Sequence, residues 1–370
     1  MKFNVSQLLE KVVSMHASDL HLSVGTSPVV RINTVLSILT DIQPLAVEDV
    51  EYFLSQLLTQ QQKDIFDVNK EIDFSIALSS TVRFRVNAFH QKGYPSAALR
   101  IIPIKVPTLE ENNLPPIIGS LCELHQGLVI VTGPTGQGKS TTIASMLDRI
   151  NNTRSEHIIT VEDPIEYIFT NKQSFIEQRE MYLDTHSWEV ALRSILREDP
   201  NVVVVGEMRD FDTIAATITI AETGHLVFAS LHTNSASQTI DRIIDSFPET
   251  QQGQVRLQLS QIIEAVISQR LIPSAKMGMV PAIEIMLAST AVKNLIREGK
   301  TYQLDNIIST SSNLGMSTLE SSIANLIENG SIEYADALRF SSKPDELRML
   351  ISRGKSPHSG TGASGDRSKK

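Results

Sequence analysis

The chain has 370 residues, of which 41% are hydrophobic and 20% charged, a balance typical of folded domains and enough for two or three of them. A net charge of −9 argues against nucleic acid as a partner, because affinity for a phosphate backbone comes from clustered Lys and Arg. A single cysteine, Cys122, excludes an intrachain disulfide and any cysteine-based zinc site, and the lack of an apolar run of about 18 residues predicts a cytoplasmic protein.

The first 104 residues predict a small α+β domain. Apolar residues recur at helical spacing over residues 5–13, and alternation over 17–22 predicts a strand. A longer strand is expected over 29–39, followed by a helix over 47–58.

Two further strands of this domain carry arginines. Over residues 81–89 the period of two places Arg83 and Arg85 on one face, and a strand over 97–102 carries Arg100. One interpretation is that these arginines are solvated, since charged residues are normal on the outer face of a sheet. The other is that they are directed at the phosphates of a ligand.

The organisation of the rest of the chain follows from changes in pattern. Residues 105–116 are rich in proline and lack periodicity, which predicts an interdomain linker. Strand and helix patterns alternate over 117–289, as a doubly wound parallel sheet requires, and they include a helix expected over 255–267. A helical region is expected over 290–352, and residues 353–370 predict a disordered basic tail or a non-native extension.

The stretch over residues 127–142 contains G-x-x-x-x-G-K-[ST] in full, ending in Gly138, Lys139 and Ser140. It lies between a strand pattern and a helix pattern, which is the context of a Walker A loop rather than of an ordinary glycine-rich turn. Glycines let backbone amides approach a polyphosphate, Lys139 reaches its β and γ phosphates, and the Ser140 hydroxyl is offered to Mg²⁺. The residues expected to bind the nucleotide, ATP or GTP, are Gly133, Pro134, Thr135, Gly136, Gln137, Gly138, Lys139, Ser140 and Thr141.

Two strand patterns of the same domain end in carboxylates. A strand over 157–161 runs into residues 162–166, whose three acids include Glu166, and a run of four valines over 202–205 is followed by Glu207. Because the carboxyl ends of parallel strands form the ligand-binding edge of an open α/β sheet, both glutamates are expected near the Walker A loop. Glu207 is placed like a Walker B carboxylate, which holds Mg²⁺ directly or through a water molecule and orients the attacking water.

Two histidines, His225 and His232, flank a strand pattern over residues 226–231. A lone histidine is usually a structural hydrogen-bonding group. His232, however, lies at the carboxyl end of its strand, where it can sense a γ-phosphate, whereas His225 begins the strand and is less easily placed.

Together these motifs resemble those of type IV pilus retraction ATPases of the PilT type, within the secretion ATPase superfamily of hexameric RecA-like motors. The likeness covers about residues 1–350. Besides the two Walker motifs, it includes the segments 17–22, 83–89, 162–166, 223–233, 267–271 and 291–298.

The resemblance implies a RecA-like ATPase core, preceded by a PAS-like N-terminal domain and followed by C-terminal helices. The catalytic residues that it implies are Glu207 as the Walker B glutamate, Glu166 as the water-activating glutamate of the Asp box, His225 and His232 as the His-box pair, and Arg85, Arg100 and, as a third candidate, Arg83 as the arginines that approach ATP. We further expect Arg85 to complete the active site of a neighbouring subunit in a ring, because it lies in a different domain from the Walker A loop.

The function implied by the resemblance is that of a homohexameric cytoplasmic motor, which couples ATP hydrolysis to type IV pilus retraction and twitching motility. Its implied partners are an inner-membrane pilus platform protein and, as a further candidate, a second retraction ATPase, so it would associate with the membrane through partners only. Segment 291–298 matches the family's retraction signature except at Val292 and Lys293, where the family usually has Ile-Arg. Lysine keeps the charge but loses the bidentate fork.

Three alternatives share part of this pattern. A PilU-type accessory retraction ATPase would carry the same motifs. Pilus-assembly and type II secretion ATPases usually have a long extra N-terminal region and a tetracysteine zinc insertion, which a chain with one cysteine lacks. A RecA-like nucleic-acid motor should show a basic channel with aromatic residues, whereas this acidic chain has a single tryptophan, Trp188.

Overall fold

The computed structural model describes residues 4–32, 35–79, 82–102, 105–276 and 278–354. Of the tail expected to be disordered, residues 353–354 belong to the last helix, and 355–370 lie outside the described residues. These described residues form two β-sheets, one on each side of the proline-rich segment.

The N-terminal sheet has six antiparallel strands in the order β3-β2-β1-β6-β5-β4. The elements of this domain are α1 (Val5–Ser14), β1 (Asp19–Ser23), β2 (Val29–Ile32), β3 (Val35–Ile38), α2 (Val47–Leu57), α3 (Gln60–Asn69), β4 (Glu71–Ser79), β5 (Val82–Gln91) and β6 (Tyr94–Ile102). The apolar faces of the helices pack on the sheet, where Leu9, Phe53 and Phe84 are fully buried or nearly so. The single strand expected over 29–39 is wrong, because β2 and β3 pair with each other antiparallel.

The second sheet has seven strands in the order β13-β12-β7-β11-β10-β8-β9, all parallel except β13. Its elements are α4 (Pro116–Leu121), β7 (Gly127–Thr132), α5 (Lys139–Thr153), β8 (His157–Glu162), β9 (Phe175–Glu180), α6 (Trp188–Ile195), β10 (Val202–Val205), α7 (Phe211–Glu222), β11 (Leu226–Leu231), α8 (Ala236–Asp245), α9 (Glu249–Ile262), β12 (Ile263–Pro273) and β13 (Met279–Leu287). Helices cover both faces, so the central strands are apolar without alternation. The predicted α/β fold is confirmed.

One predicted helix of this domain is wrong in its second half. The helix expected over 255–267 ends at Ile262, and β12 begins at Ile263. β12 lies between β7 and β13 and is buried on both faces, so its apolar residues do not alternate, and periodicity cannot distinguish them from a helix. This strand brings Gln269 beside the Walker A loop.

The proline-rich segment is fixed to the second domain, since Leu109 and Leu114 are buried in its core. The C-terminal helices are α10 (Thr290–Arg297), α11 (Leu304–Thr310), α12 (Leu319–Glu328), α13 (Tyr334–Phe340) and α14 (Pro344–Gly354), with 3-10 turns at Thr301–Gln303 and Ser312–Leu314. None of the helices in the described part of the chain combines the length and apolarity needed to cross a membrane.

Candidate active site

The Walker A loop connects the central strand β7 to α5, and two of its glycines, Gly133 and Gly136, are required for different reasons. At Gly133, φ is +145°, and a Cβ would lie 2.4 Å from the carbonyl oxygen of Gln269. At Gly136, φ is +77°, but a Cβ would meet no atom within 4 Å. The first glycine is therefore required by close packing against β12, and the second by its left-handed backbone conformation.

The side chain of Gln269 on β12 braces this loop. It accepts a hydrogen bond from the Thr142 hydroxyl (2.7 Å) and donates one to the carbonyl oxygen of Gln137 (2.7 Å). The Gln137 side chain in turn accepts from the backbone N–H of Leu271 (2.7 Å). Sequence reasoning missed this role of Gln269. Its only signal was the family likeness over residues 267–271.

Lys139 lies at the centre of the loop. Its ammonium donates hydrogen bonds to the carbonyl oxygens of Gly133 (2.8 Å) and Pro134 (3.1 Å). Burial lowers the pKa of Lys139, an effect opposed by the negative charges of Glu207 and Glu166. The lysine thus sits in a partly desolvated place where an anionic phosphate would favour its charged form.

Glu207, which follows β10, is held between two basic side chains. Its Oε1 lies 2.8 Å from Nε2 of His232, and its Oε2 accepts from Nε of Arg209 at 2.9 Å. The other ring nitrogen of His232 lies 3.4 Å from Nζ of Lys139. The predicted Walker A lysine, Walker B glutamate and distal His-box histidine therefore meet in one place.

The end of β8 and the Asp-box loop that follows it, residues 163–170, add further carboxylates. Burial raises the pKa of Glu162 to about 7, although the hydroxyl of Thr160, the amide of Gln178 and the backbone N–H of Glu166 all donate to this carboxylate. The exposed side chain of Glu166 lines the same cavity as Lys139. Near neutral pH this edge of the sheet therefore carries one carboxyl group that readily holds a proton and one that faces solvent.

A cavity of about 750 Å³ separates the two domains at this edge. From the second domain it is lined by Lys139, Glu166, Glu207 and His232 among others, and from the N-terminal domain by Arg85 and Arg100. The two arginines lie opposite each other on β5 and β6 and so share a face of the sheet.

Arg100 is oriented by a neighbouring strand. Its Nε donates to Oδ1 of Asp19 on β1 at 2.8 Å. Burial acts to raise the pKa of Asp19, but hydrogen bonds from Arg100 and Ser18 outweigh it and hold this pKa below its ordinary value. The interpretation of Arg85 and Arg100 as phosphate-directed thus agrees with their position. They line the cavity of their own chain, which favours action within the subunit, and the expectation that Arg85 completes the active site of a neighbouring subunit stays a prediction.

The structure does not bring two of the predicted catalytic residues into the cavity lining, and of the predicted nucleotide-binding residues Gly133, Pro134 and Gln137 also lie outside it. Arg83 turns to Ser75 and Glu180, as described below. His225 lies at the amino end of β11, where its Nδ1 is 3.0 Å from the carbonyl oxygen of Ile220. Its assignment to the His-box pair stays a prediction.

The glycine-rich loop between a buried central strand and a helix, with acidic residues at the ends of neighbouring parallel strands, defines a P-loop NTPase domain. A sequence profile of the family described as type II/IV secretion system protein matches residues 2–310. The chain belongs to this family.

Individual relatives are similar over almost the whole chain. The type IV pilus retraction ATPase PilT of Pseudomonas aeruginosa is 43% identical over 344 residues, which is 93% of this chain and 100% of that protein. The type IV pilus ATPase PilU of the same organism is 38% identical over 349 residues, covering 94% and 91% of the two chains. A crystal structure of the pilus retraction motor PilT with bound ADP superimposes with a TM-score of 0.88 at 43% identity, covering 94% of this chain and 99% of that one. The resemblance recognised in the sequence is confirmed.

Proposed function

We propose that the chain is a motor ATPase that drives type IV pilus retraction and, through it, twitching motility. The observation that carries this proposal is the 43% identity to PilT over the full length of that protein. The lower identity to PilU, 38%, makes the accessory role the second candidate. The pilus-assembly and nucleic-acid alternatives have no comparable support.

The proposed reaction is hydrolysis of ATP in the cavity between the domains. The Walker A loop from Gly133 to Thr141 would bind the phosphates through backbone amides and Lys139. Ser140 and Glu207 supply oxygen ligands of the kind that Mg²⁺ prefers, and a bound Mg²⁺ would neutralise charge on the phosphate oxygens. Among the described residues no cluster of three His, Cys, Asp or Glu side chains could hold a metal without help, which suits an ion shared with a nucleotide.

The attacking water would be oriented by Glu207 and Glu166, with His232 keeping the Glu207 carboxylate in place. Arg85 and Arg100 would add positive charge from the N-terminal domain when that domain closes over the nucleotide. We propose that the domain boundaries follow this division, with the N-terminal domain over 1–104, the linker over 105–116, the ATPase core over 117–289 and C-terminal helices over 290–352.

We propose that the working form is a homohexamer in the cytoplasm, at the inner-membrane base of the pilus machine, where it contacts a platform protein. The candidate contact surface lies at the carboxyl end of α10 and includes the residue that follows it, Glu298. There Arg297 and Glu298 are exposed, whereas Lys293 is half-buried and lies 3.3 Å from Glu264. Replacing Arg297 and Glu298 by Ala should leave ATPase activity nearly unchanged and abolish retraction. Lys293→Ala, tested separately, reports on the internal ion pair.

Complementation in a piliated bacterium without its own retraction ATPase tests the proposed function. The wild-type chain should restore pilus retraction and twitching, and Glu207→Gln should not. If the wild-type chain restores twitching only in a strain that also contains a PilT protein, the accessory role is correct. Failure to restore twitching with and without PilT, by a chain that hydrolyses ATP, would refute the assignment to retraction.

A further inference from the structure

Glu180, the last residue of β9, is a charged side chain buried at the junction of the two domains. The residue is 3% exposed. Its Oε1 accepts a hydrogen bond from the hydroxyl of Ser75 on β4 at 2.8 Å, and its Oε2 lies 3.7 Å from Nη2 of Arg83 on β5. One carboxylate of the ATPase core is thus bound by two residues of the N-terminal domain.

Arg83 is committed to these same partners. Its Nε and Nη2 lie 3.2 and 2.7 Å from the hydroxyl oxygen of Ser75. The arginine side chain is only 20% exposed and that of Glu180 only 4%, so the pair is shielded from water, unlike the exposed pairs on the surface of the molecule. Arg83 shares its strand face with Arg85 but is used differently.

The second contact of Glu180 is with the Asp-box loop. Its Oε2 accepts from the backbone N–H of Ile165 at 3.3 Å, and Ile165 directly precedes Glu166. Gln178, two residues earlier on β9, holds the same loop by accepting from the N–H of Phe169 (2.9 Å) and donating to the carbonyl oxygen of Tyr167 (2.8 Å). The side chains of β9 therefore position the loop that carries Glu166.

We infer that Ser75, Arg83 and Glu180 form a positioning relay, which couples the placement of the N-terminal domain to the Asp-box loop. On this inference, which rests on the proposed ATPase function, Arg83 acts through Glu180 and not on the nucleotide. Neither Ser75 nor Glu180 touches the Walker A loop in the described contacts, so disturbing the relay should leave phosphate binding intact and misplace Glu166.

Steady-state kinetics of purified variants test the relay. Glu180→Gln and Arg83→Ala should each lower kcat about 10- to 100-fold while KM for ATP stays within about threefold, because a displacement of about 1 Å at a catalytic group has that cost. Arg83→Lys, which keeps the charge but loses the fork, should recover part of the loss. Arg193→Ala is the matched control, since it breaks an exposed Arg–Glu pair on α6.

The double variant Arg83→Ala/Glu180→Gln distinguishes the relay from direct nucleotide contact. If both residues act in one relay, the double variant should be no slower than the slower single variant. A multiplied loss, together with a tenfold or larger rise in KM for Arg83→Ala alone, would place Arg83 on the nucleotide and overturn the inference. If Glu180→Gln does not fold, Ser75→Ala takes its place in the cycle.

Hydrogen–deuterium exchange provides a readout that needs no hydrolysis. Peptides covering residues 163–170 should exchange faster in Arg83→Ala and Ser75→Ala than in the wild-type chain and in Arg193→Ala. Unchanged exchange in both variants would overturn the relay. If the wild-type chain proved inactive as an ATPase, the proposed function would fail, and the exchange result would still decide whether the two domains are coupled through Glu180.

Discussion

Mixed rings of two inactive variants determine which subunit supplies Arg85 to a nucleotide. Arg85 lines the cavity that holds Lys139 of the same chain, so we predict that it acts within its own subunit. The two perturbations are Arg85→Ala, which keeps the Walker A loop, and Lys139→Ala, which keeps the arginine. Each subunit of a mixed ring then lacks either Arg85 or Lys139.

The expected magnitudes follow from this placement. If Arg85 acts within its subunit, no mixture contains an intact site, and activity stays at the average of the two variants. Arg85→Ala is expected to lose on the order of 10³-fold in turnover and Lys139→Ala to be inactive, so this average stays below about 10⁻³ of the wild-type activity. If Arg85 served a neighbour, then about a quarter of the interfaces in a random equimolar ring would combine an intact loop with an intact arginine. The two arrangements thus differ by between two and three orders of magnitude, roughly 500-fold, in the activity of the equimolar mixture.

The assay is phosphate release by variants mixed over a range of ratios, with mixed rings verified by native mass spectrometry. Wild-type chain titrated with each variant serves as the control for subunit exchange. Recovery that peaks near the equimolar mixture would refute the reasoning and place Arg85 in the neighbouring subunit's site.

Two further predictions concern stability. Gly133→Ala should destabilise the fold far more than Gly136→Ala, which should cost about 1–2 kcal/mol, because only at Gly133 would the new Cβ collide with a backbone carbonyl; equal melting temperatures would contradict this. Burial raises the pKa of Glu284 to about 7, above its ordinary 4.5, so the protonated carboxyl contributes stability that is full below about pH 4.5 and is lost as the pH rises through 7. Glu284→Gln keeps an oxygen that accepts from the N–H of Ala236. Its free energy of unfolding in urea should therefore rise relative to that of the wild-type chain by up to about 3 kcal/mol between pH 5 and 8. A difference that does not change with pH would show that Glu284 does not titrate in this range.

The sequence predicted the parts of this molecule whose chemistry is local. The Walker A loop and the strands that precede Glu207 and the Asp box could be placed because glycine pattern, strand-then-helix order and acidic residues after strands are short-range signals. The alternation around Arg85 likewise gave the correct face of a half-buried strand.

The rest depends on contacts between distant residues. β12 could not be recognised, since a strand buried on both faces has no period of its own. The roles of Gln269 and Glu180 follow from partners 132 and 105 positions away in the chain. Arg83 and Arg85 have the same local pattern, and only the position of Glu180 separates the relay residue from the one that lines the cavity.

The most direct test of the account compares nucleotide binding with turnover in one purified chain. Phosphate binding depends on Lys139 and the Walker A loop, whereas water activation depends on Glu207, so the two functions should separate. We predict that Glu207→Gln binds ATP within about threefold of the wild-type affinity and loses about 10²- to 10³-fold in kcat, while Lys139→Ala is impaired in both. Hydrolysis by Glu207→Gln at the wild-type rate would contradict the assignment of this cavity as the site of ATP hydrolysis.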